Sequence, residues 1–264
     1  MSGQPVPAEH APDTVKFLGL RFATLDVVKA TAAMKRASQG ASWSYVVTPN
    51  AAHLARLRIS ESDLSSIYGN ASYCFLDSRV VALVARLLGL HPPTVVTGAD
   101  LVEQLFRSVI TPSSSICLIG GDNATAEQIR RSFGLTRLSH ANPTMGFWRD
   151  KKQMDRAVAA IVAAQADYTF LAVGSPQQEI LATRVAAAGG ARGVGLCVGA
   201  SIEFLTGAQK RAPRFLRYMA LEWAYRLACN PRRLARRYVI ESPRCLYLVL
   251  QEAIQQHVTV RGRG

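Results

Sequence analysis

Between residues 45 and 198, short apolar and β-branched runs alternate with longer segments of helical periodicity, and no other feature of the chain limits its fold as much. The runs are Tyr45–Val47, Tyr73–Leu76, Ile116–Ile119, Tyr168–Val173 and Gly193–Val198. Segments 51–66, 78–90, 99–110, 124–134, 151–166 and 178–188 lie between them, rich in Ala, Leu and Arg, with apolar residues three and four apart. Short apolar strands separated by helices form βαβ units, which predicts an α/β fold: a mostly parallel sheet with helices on both faces. Ligands of such sheets sit beyond the carboxyl ends of the strands, so the residues following each strand carry the functional information.

Those residues are Thr48-Pro49-Asn50, Asp77-Ser78-Arg79, Gly120-Gly121-Asp122-Asn123, Gly174-Ser175-Pro176-Gln177-Gln178-Glu179 and Gly199-Ala200-Ser201-Ile202-Glu203. Glycines leave backbone N–H groups free at helix N-termini, so Gly120-Gly121 and Gly174-Ser175 fit phosphate cradles. They equally fit ordinary strand-to-helix turns with Asp122 or Asn123 as the cap. Asp77 has two readings as well: a general base at a strand tip, or the N-cap of the helix 78–90. Gln178 and Glu179 open a helix, where a carboxylate suits the dipole.

Composition narrows the class. With 49% hydrophobic and 19% charged residues, the 264-residue chain is neither generally disordered nor a disulfide-stapled scaffold. Its five cysteines stand singly and its five histidines lack metal-ligand spacing, which fits a reducing compartment and no zinc site. Asp-x-Asp, G-x-G-x-x-G, Walker A and G-x-S-x-G are all absent, removing the main support for metal-dependent nucleotide-sugar, dinucleotide, P-loop and hydrolase chemistry. The first residues have no secretory pattern and no run of about 18 apolar residues occurs, so a cytosolic-side protein is expected. The net charge is nevertheless +13, which implies an acidic partner. From Lys210 onward twelve Lys and Arg face three acids. The expected organisation is a disordered 1–14, an α/β domain over 15–207 and a basic appendage over 208–264, with Thr206-Gly207 as the boundary.

Together the post-strand motifs become specific. T-P-N-A-A-H-L (48–54), F-L-D (75–77), V-T-G-A-D-L (96–101), L-I-G-G (118–121), V-G-S-P-Q-Q-E (173–179), V-G-A-S-I-E-F-L-T-G (198–207), R-A-P-R (211–214) and L-E-W-A-Y-R-L-A-C-N-P-R-R-L-A-R-R-Y (221–238) occur in the order seen in the WecG/TagA/CpsF glycosyltransferases, which the chain resembles over about 45–240. The resemblance implies a Rossmann-like domain. It also implies an inverting, metal-independent transferase without a cofactor, using a UDP-sugar donor and a polyprenyl-diphosphate-linked saccharide acceptor. By this likeness Asp77 is the catalytic base, Thr48 and Asn50 line the donor pocket, Gln178 is an active-site amide and Glu203 lies near the uridine. Arg226, Arg233 and Arg236 or Arg237 match arginines that neutralise the diphosphate. The sequence departs from the family's pattern in three places: Ser78 stands where relatives carry Gly, Val95 where many carry Arg, and Glu203 where many carry Asp.

The tail predicts one amphipathic helix over Pro213–Leu227, with Leu216, Ala220, Trp223 and Leu227 on its apolar stripe, broken by Pro231. A basic helix flanked by Trp and Tyr suits an anionic membrane surface, giving a peripheral enzyme on the cytoplasmic face of the bacterial inner membrane. The same aromatics could instead pack as core against the body. Two other readings use the same tail. One is a nucleic-acid-binding protein, although no nucleic-acid motif accompanies the arginines. The other is a nucleotide-binding scaffold forming a homo-oligomer through the tail.

Overall fold

The computed structural model describes residues 12–57 and 64–261. It opens with a hairpin of β1 (Thr14–Phe17) and β2 (Leu20–Ala23), in which Thr14 pairs with Ala23. The two-residue turn Leu18-Gly19 has positive φ at both positions, 49° and 82°, the geometry that matches the twist of paired strands. Phe17, Leu20 and Phe22 are buried. Of the segment 1–14 expected to be disordered, residues 1–11 lie outside the described ones and Thr14 belongs to β1.

Next come α1 (Val27–Ser38), β3 (Ser44–Val47), α2 (Ala51–Leu57), α3 (Leu64–Gly69), β4 (Tyr73–Cys74), α4 (Arg79–Leu87), α5 (Gly98–Ser108), β5 (Ser115–Ile119), α6 (Asn123–Phe133), β6 (Arg137–Ala141), α7 (Lys151–Ala164), β7 (Tyr168–Leu171), α8 (Gln177–Ala188) and β8 (Val194–Cys197). β3 to β8 form one parallel sheet in the order β4-β3-β8-β7-β5-β6, the α/β architecture that the alternation predicts. Side chains alternate across it. Ile116, Leu118, Phe170 and Leu196 meet α1, α5 and α6 on one face. Cys117, Ile119, Leu171 and Cys197 meet α4, α7 and α8 on the other. Each fully buried Ile, Leu or Phe among them contributes roughly 1.5–3 kcal/mol. The edge strand β6, Arg-Leu-Ser-His-Ala, has no fully buried residue and lacks the apolar run that marks the others.

Helix starts follow local chemistry. Asp26, Thr97, Asp122 and Asp150 each accept an N–H bond from the first turn of α1, α5, α6 and α7. The segment expected as one helix over 51–66 is α2 followed by α3, with 58–63 outside the described residues.

The rest of the chain is helical: α9 (Ser201–Leu205), α10 (Arg214–Tyr218), α11 (Glu222–Cys229), α12 (Pro231–Ala235), a π-helical segment Arg236–Glu241, and α13 (Ser242–Arg261). The single helix expected over Pro213–Leu227 is two, because Ala220 takes φ 58°, which no helix passes through. Leu216 and Leu227 on the predicted stripe are only partly covered. α13 instead packs on α2 and α4, burying Cys245, Val249 and Ala253, and Glu252 accepts the Leu18 N–H at 2.8 Å. The last helix thus closes on the first hairpin. Among the described residues no helix is long and apolar enough to cross a membrane.

Candidate active site

The turns after β3, β4, β7 and β8 converge on one place. Thr48, after β3, donates to the Cys197 carbonyl at the end of β8 (3.2 Å), tying two strand ends together. Asn50 caps α2, accepting the Ala52 N–H at 3.1 Å, and its amide lies 3.1 Å from His53 Nε2. After β7, Gln178 is buried: its Oε1 accepts the Gly199 N–H (2.9 Å) and its Nε2 donates to Glu179 (2.9 Å).

Asp77 is not a helix cap. Ser78 fills that role for α4, accepting the Val81 N–H, and thereby leaves the Asp77 carboxylate to face the site. Its Oδ2 instead accepts the N–H of Gly98, the first residue of α5, at 3.2 Å. Gly98 leaves little room for a side chain here. A Cβ would lie 3.0 Å from Thr48 Oγ1, 3.1 Å from Ser201 Oγ and 3.7 Å from Asp77 Oδ2.

Asp77 stands between two chambers. A polar one of about 160 Å³ is lined by Thr48, Gln178, the Gly174-Ser175 turn and the Gly199–Ser201 turn. An apolar one of about 320 Å³ lies towards the tail and is lined by Ala51, Val80, Trp223, Tyr238 and Leu246. Asn50, Asp77, Thr97, Glu222 and Arg226 border both. The Arg226 guanidinium lies 5.2 Å from the Phe204 ring centre, and its Nε is buried without a hydrogen-bond partner. A guanidinium lining a cavity can form charge-assisted hydrogen bonds to an anion there.

An ion-pair cluster holds the tail over this place. Asp100 Oδ2 meets Arg79 at 2.7 Å and its Oδ1 meets Arg211 and Arg217, while Arg211 also reaches Glu103 and Arg79 lies 3.8 Å from Glu222. Burial alone would raise the Asp100 carboxyl, but Arg211 and Arg79 hold it below the usual carboxylate range. Glu179 goes the other way: burial pushes its carboxyl up, against the bonds from Gln178 and Tyr68, and its Oε2 has no partner.

Of the residues singled out from the sequence, Thr48, Asn50, Asp77, Gly174, Gln178 and Arg226 meet here. Gly120, Gly121, Glu203 and Arg236 line neither chamber. Gly120 and Gly121 follow β5, where their carbonyls face His140 and Asp122 caps α6. Glu203 lies in α9. Arg236 is mostly exposed and lies 3.9 Å from Glu241. The side chains of Arg233 and Arg237 lie outside the described ones. Sequence reasoning passed over Thr97, Gly98, Ser201 and Glu222, although all four lie in quoted motifs. Among the described residues no three His, Cys, Asp or Glu side chains gather as they would around a metal ion.

Comparison with known proteins agrees with the motif resemblance. A transferase from Bacillus spizizenii, named N-acetylglucosaminyldiphosphoundecaprenol N-acetyl-beta-D-mannosaminyltransferase, is 26% identical over 190 residues, covering 70% of this chain and 71% of that protein. The model of the glycosyl transferase WecG/TagA/CpsF family matches residues 15–259, and the chain belongs to that family.

Proposed function

We propose that the chain moves a hexose- or N-acetylhexosamine-type sugar from a UDP-sugar to a polyprenyl-diphosphate-linked saccharide, with inversion and without a metal, in cell-surface polysaccharide biosynthesis. The observation that carries this reading is the position of Asp77: it does not cap α4, a role Ser78 takes, its carboxylate accepts the Gly98 N–H, and it borders the same chambers as Arg226. An acceptor hydroxyl oxygen attacks the anomeric carbon from the face opposite UDP, its proton passes to the Asp77 carboxylate, and the bond from that carbon to the diphosphate oxygen breaks. Arg226 and the N–H groups of the Gly174-Ser175 turn, which precedes α8, take up charge on the departing UDP. This assigns the leaving group's charge to the protein, in keeping with a sequence that has no Asp-x-Asp.

Membrane attachment belongs to the same proposal. Phe215, Tyr218, Met219, Val239, Ile240 and Tyr247 are all exposed, and the arginines of the tail lie among them in sequence. Such a surface favours a peripheral position at the cytoplasmic face of the inner membrane. Arg211 and Arg217 are spent on Asp100, which disfavours the nucleic-acid reading.

The test is a panel of UDP-sugars with polyprenyl-diphosphate-N-acetylglucosamine, the acceptor type in the relative's name, in EDTA. The expected result is transfer from one donor, with an α-linked sugar becoming β-linked and no loss in chelator. A retained anomer, a strict metal requirement, or no transfer from any donor would overturn the reading.

A further inference from the structure

The two chambers meeting at Asp77 differ in chemistry, and the transferase reading requires two substrates to meet there. The polar chamber is built from strand-end turns, with backbone amides and the side chains of Thr48 and Gln178. The apolar chamber is closed by the tail. Trp223 from α11 and Tyr238 from the π-helical segment form one wall, their rings 6.0 Å apart and tilted by 53°. A tilted aromatic pair presents ring faces and edges to the apolar C–H face of a pyranose, and at about 320 Å³ the chamber is at the small end of ligand pockets, which span about 300–1,000 Å³. Next in sequence to the lining residues Ala220, Tyr238 and Leu246 stand the exposed apolar side chains of Met219, Val239 and Tyr247.

We propose that the apolar chamber is the subsite for the acceptor's reacting sugar, that Trp223 and Tyr238 are its stacking wall, and that the acceptor's lipid leaves past the exposed apolar side chains next to the lining residues in sequence, Met219, Val239 and Tyr247. The proposal rests on the transferase reading and deepens it: the tail recognises the acceptor, while the strand-end turns recognise the donor. It explains why Asp77 and Arg226 border both chambers, since the hydroxyl and the departing diphosphate must each reach them.

The probe is N-acetylglucosamine joined through diphosphate to a decyl chain, titrated into the full chain without donor and followed by calorimetry. Trp223→Ala should weaken its binding at least tenfold, Trp223→Phe should restore it to within about threefold of the unchanged protein, and Tyr238→Ala should weaken it severalfold. UDP binding should stay within twofold in all three, which also shows that they fold. Decyl diphosphate without the sugar should bind Trp223→Ala and the unchanged protein alike. Unchanged probe binding in Trp223→Ala, no binding by the unchanged protein, or an equal loss for the sugarless probe would each overturn the subsite. The two readings fail separately. Transfer with an unaltered acceptor KM in Trp223→Ala sinks the subsite alone, whereas the expected binding pattern without transfer from any UDP-sugar sinks the donor reading and leaves the subsite standing.

Discussion

At the strand ends of the body, Thr48, Gln178 and Ser201 are buried and hydrogen-bonded to backbone groups around the site, whereas α10 and α11 of the tail fully bury no side chain. The tail is held by the ion pairs of Asp100 and by the buried stripe of α13 at its far end. One part of the site is therefore built on the sheet and the other is docked onto it. Segments with few buried contacts open at lower free energy than a core, so the body is expected to bind the donor without the tail's full help, and the tail to add acceptor binding and part of the rate. Deleting everything after Gly207 would not test this, because Cys245, Val249 and Ala253 would leave the core with α13. Point substitutions can.

The largest effect is expected in the body. Asp77→Asn should lower transfer about 100-fold or more while UDP affinity and thermal stability hold, because a general base is lost and the Gly98 N–H keeps an acceptor. Near-normal turnover, measured with the best donor of the panel, would remove Asp77 from the chemistry.

Arg226→Ala comes next and tests the tail's contribution to rate. It should cost on the order of 10–100-fold in kcat with vesicle affinity changed by only about 1 kcal/mol, since a cavity-facing guanidinium acts on the diphosphate while any one surface charge contributes little. Equal losses in vesicle binding and rate would reduce the arginine to part of a membrane patch.

Asp100→Asn should have a smaller effect, of about 1–3 kcal/mol on tail docking, because it leaves Arg79, Arg211 and Arg217 crowded without their shared anion. Hydrogen exchange over 208–230 should quicken, while the strands of the body stay protected. The pH dependence follows from the sign of the shift. Asp100 is depressed in the folded chain, so its contribution is present above the ordinary carboxylate range and lost as pH falls through the folded value. Asp100→Asn should therefore differ from the unchanged chain at neutral pH and converge with it in acid.

Glu179→Gln should have the smallest effect and the opposite sign. The Glu179 carboxyl is raised by burial, so the folded chain is penalised as pH climbs above the ordinary carboxylate range. The variant should melt slightly higher at neutral pH and equally at acid pH, with little loss of transfer. A lower Tm at neutral pH would mean that the buried carboxylate is needed in ionised form.

How much was legible follows from the range of each interaction. The strand runs, the parallel sheet and the importance of the strand ends were readable because period and apolarity are local properties of a few consecutive residues. Thr48, Asn50, Asp77 and Gln178 stood out as residues that a parallel sheet delivers to the same edge, and the roles expected of them came from the family resemblance. The hairpin was missed because two four-residue strands carry little pattern, and β6 because an exposed edge strand has no apolar run to betray it.

Determined by the sequence alone were the fold class, the family motifs in order, and the basic charge of the last fifth of the chain. Only the tertiary structure decided what each charge does. Arg211 and Arg217 are consumed by Asp100, Arg226 reaches the cavity and Arg236 stays outside, although all four look alike in a run of basic residues. It also decided that Asp77 faces the site, since this required Ser78 to take the cap and Gly98, twenty-one positions away, to bring an N–H to the carboxylate. A long side chain on a short helix can point many ways. Its direction is chosen by partners distant in sequence, and by the turn at Ala220 that no propensity announces.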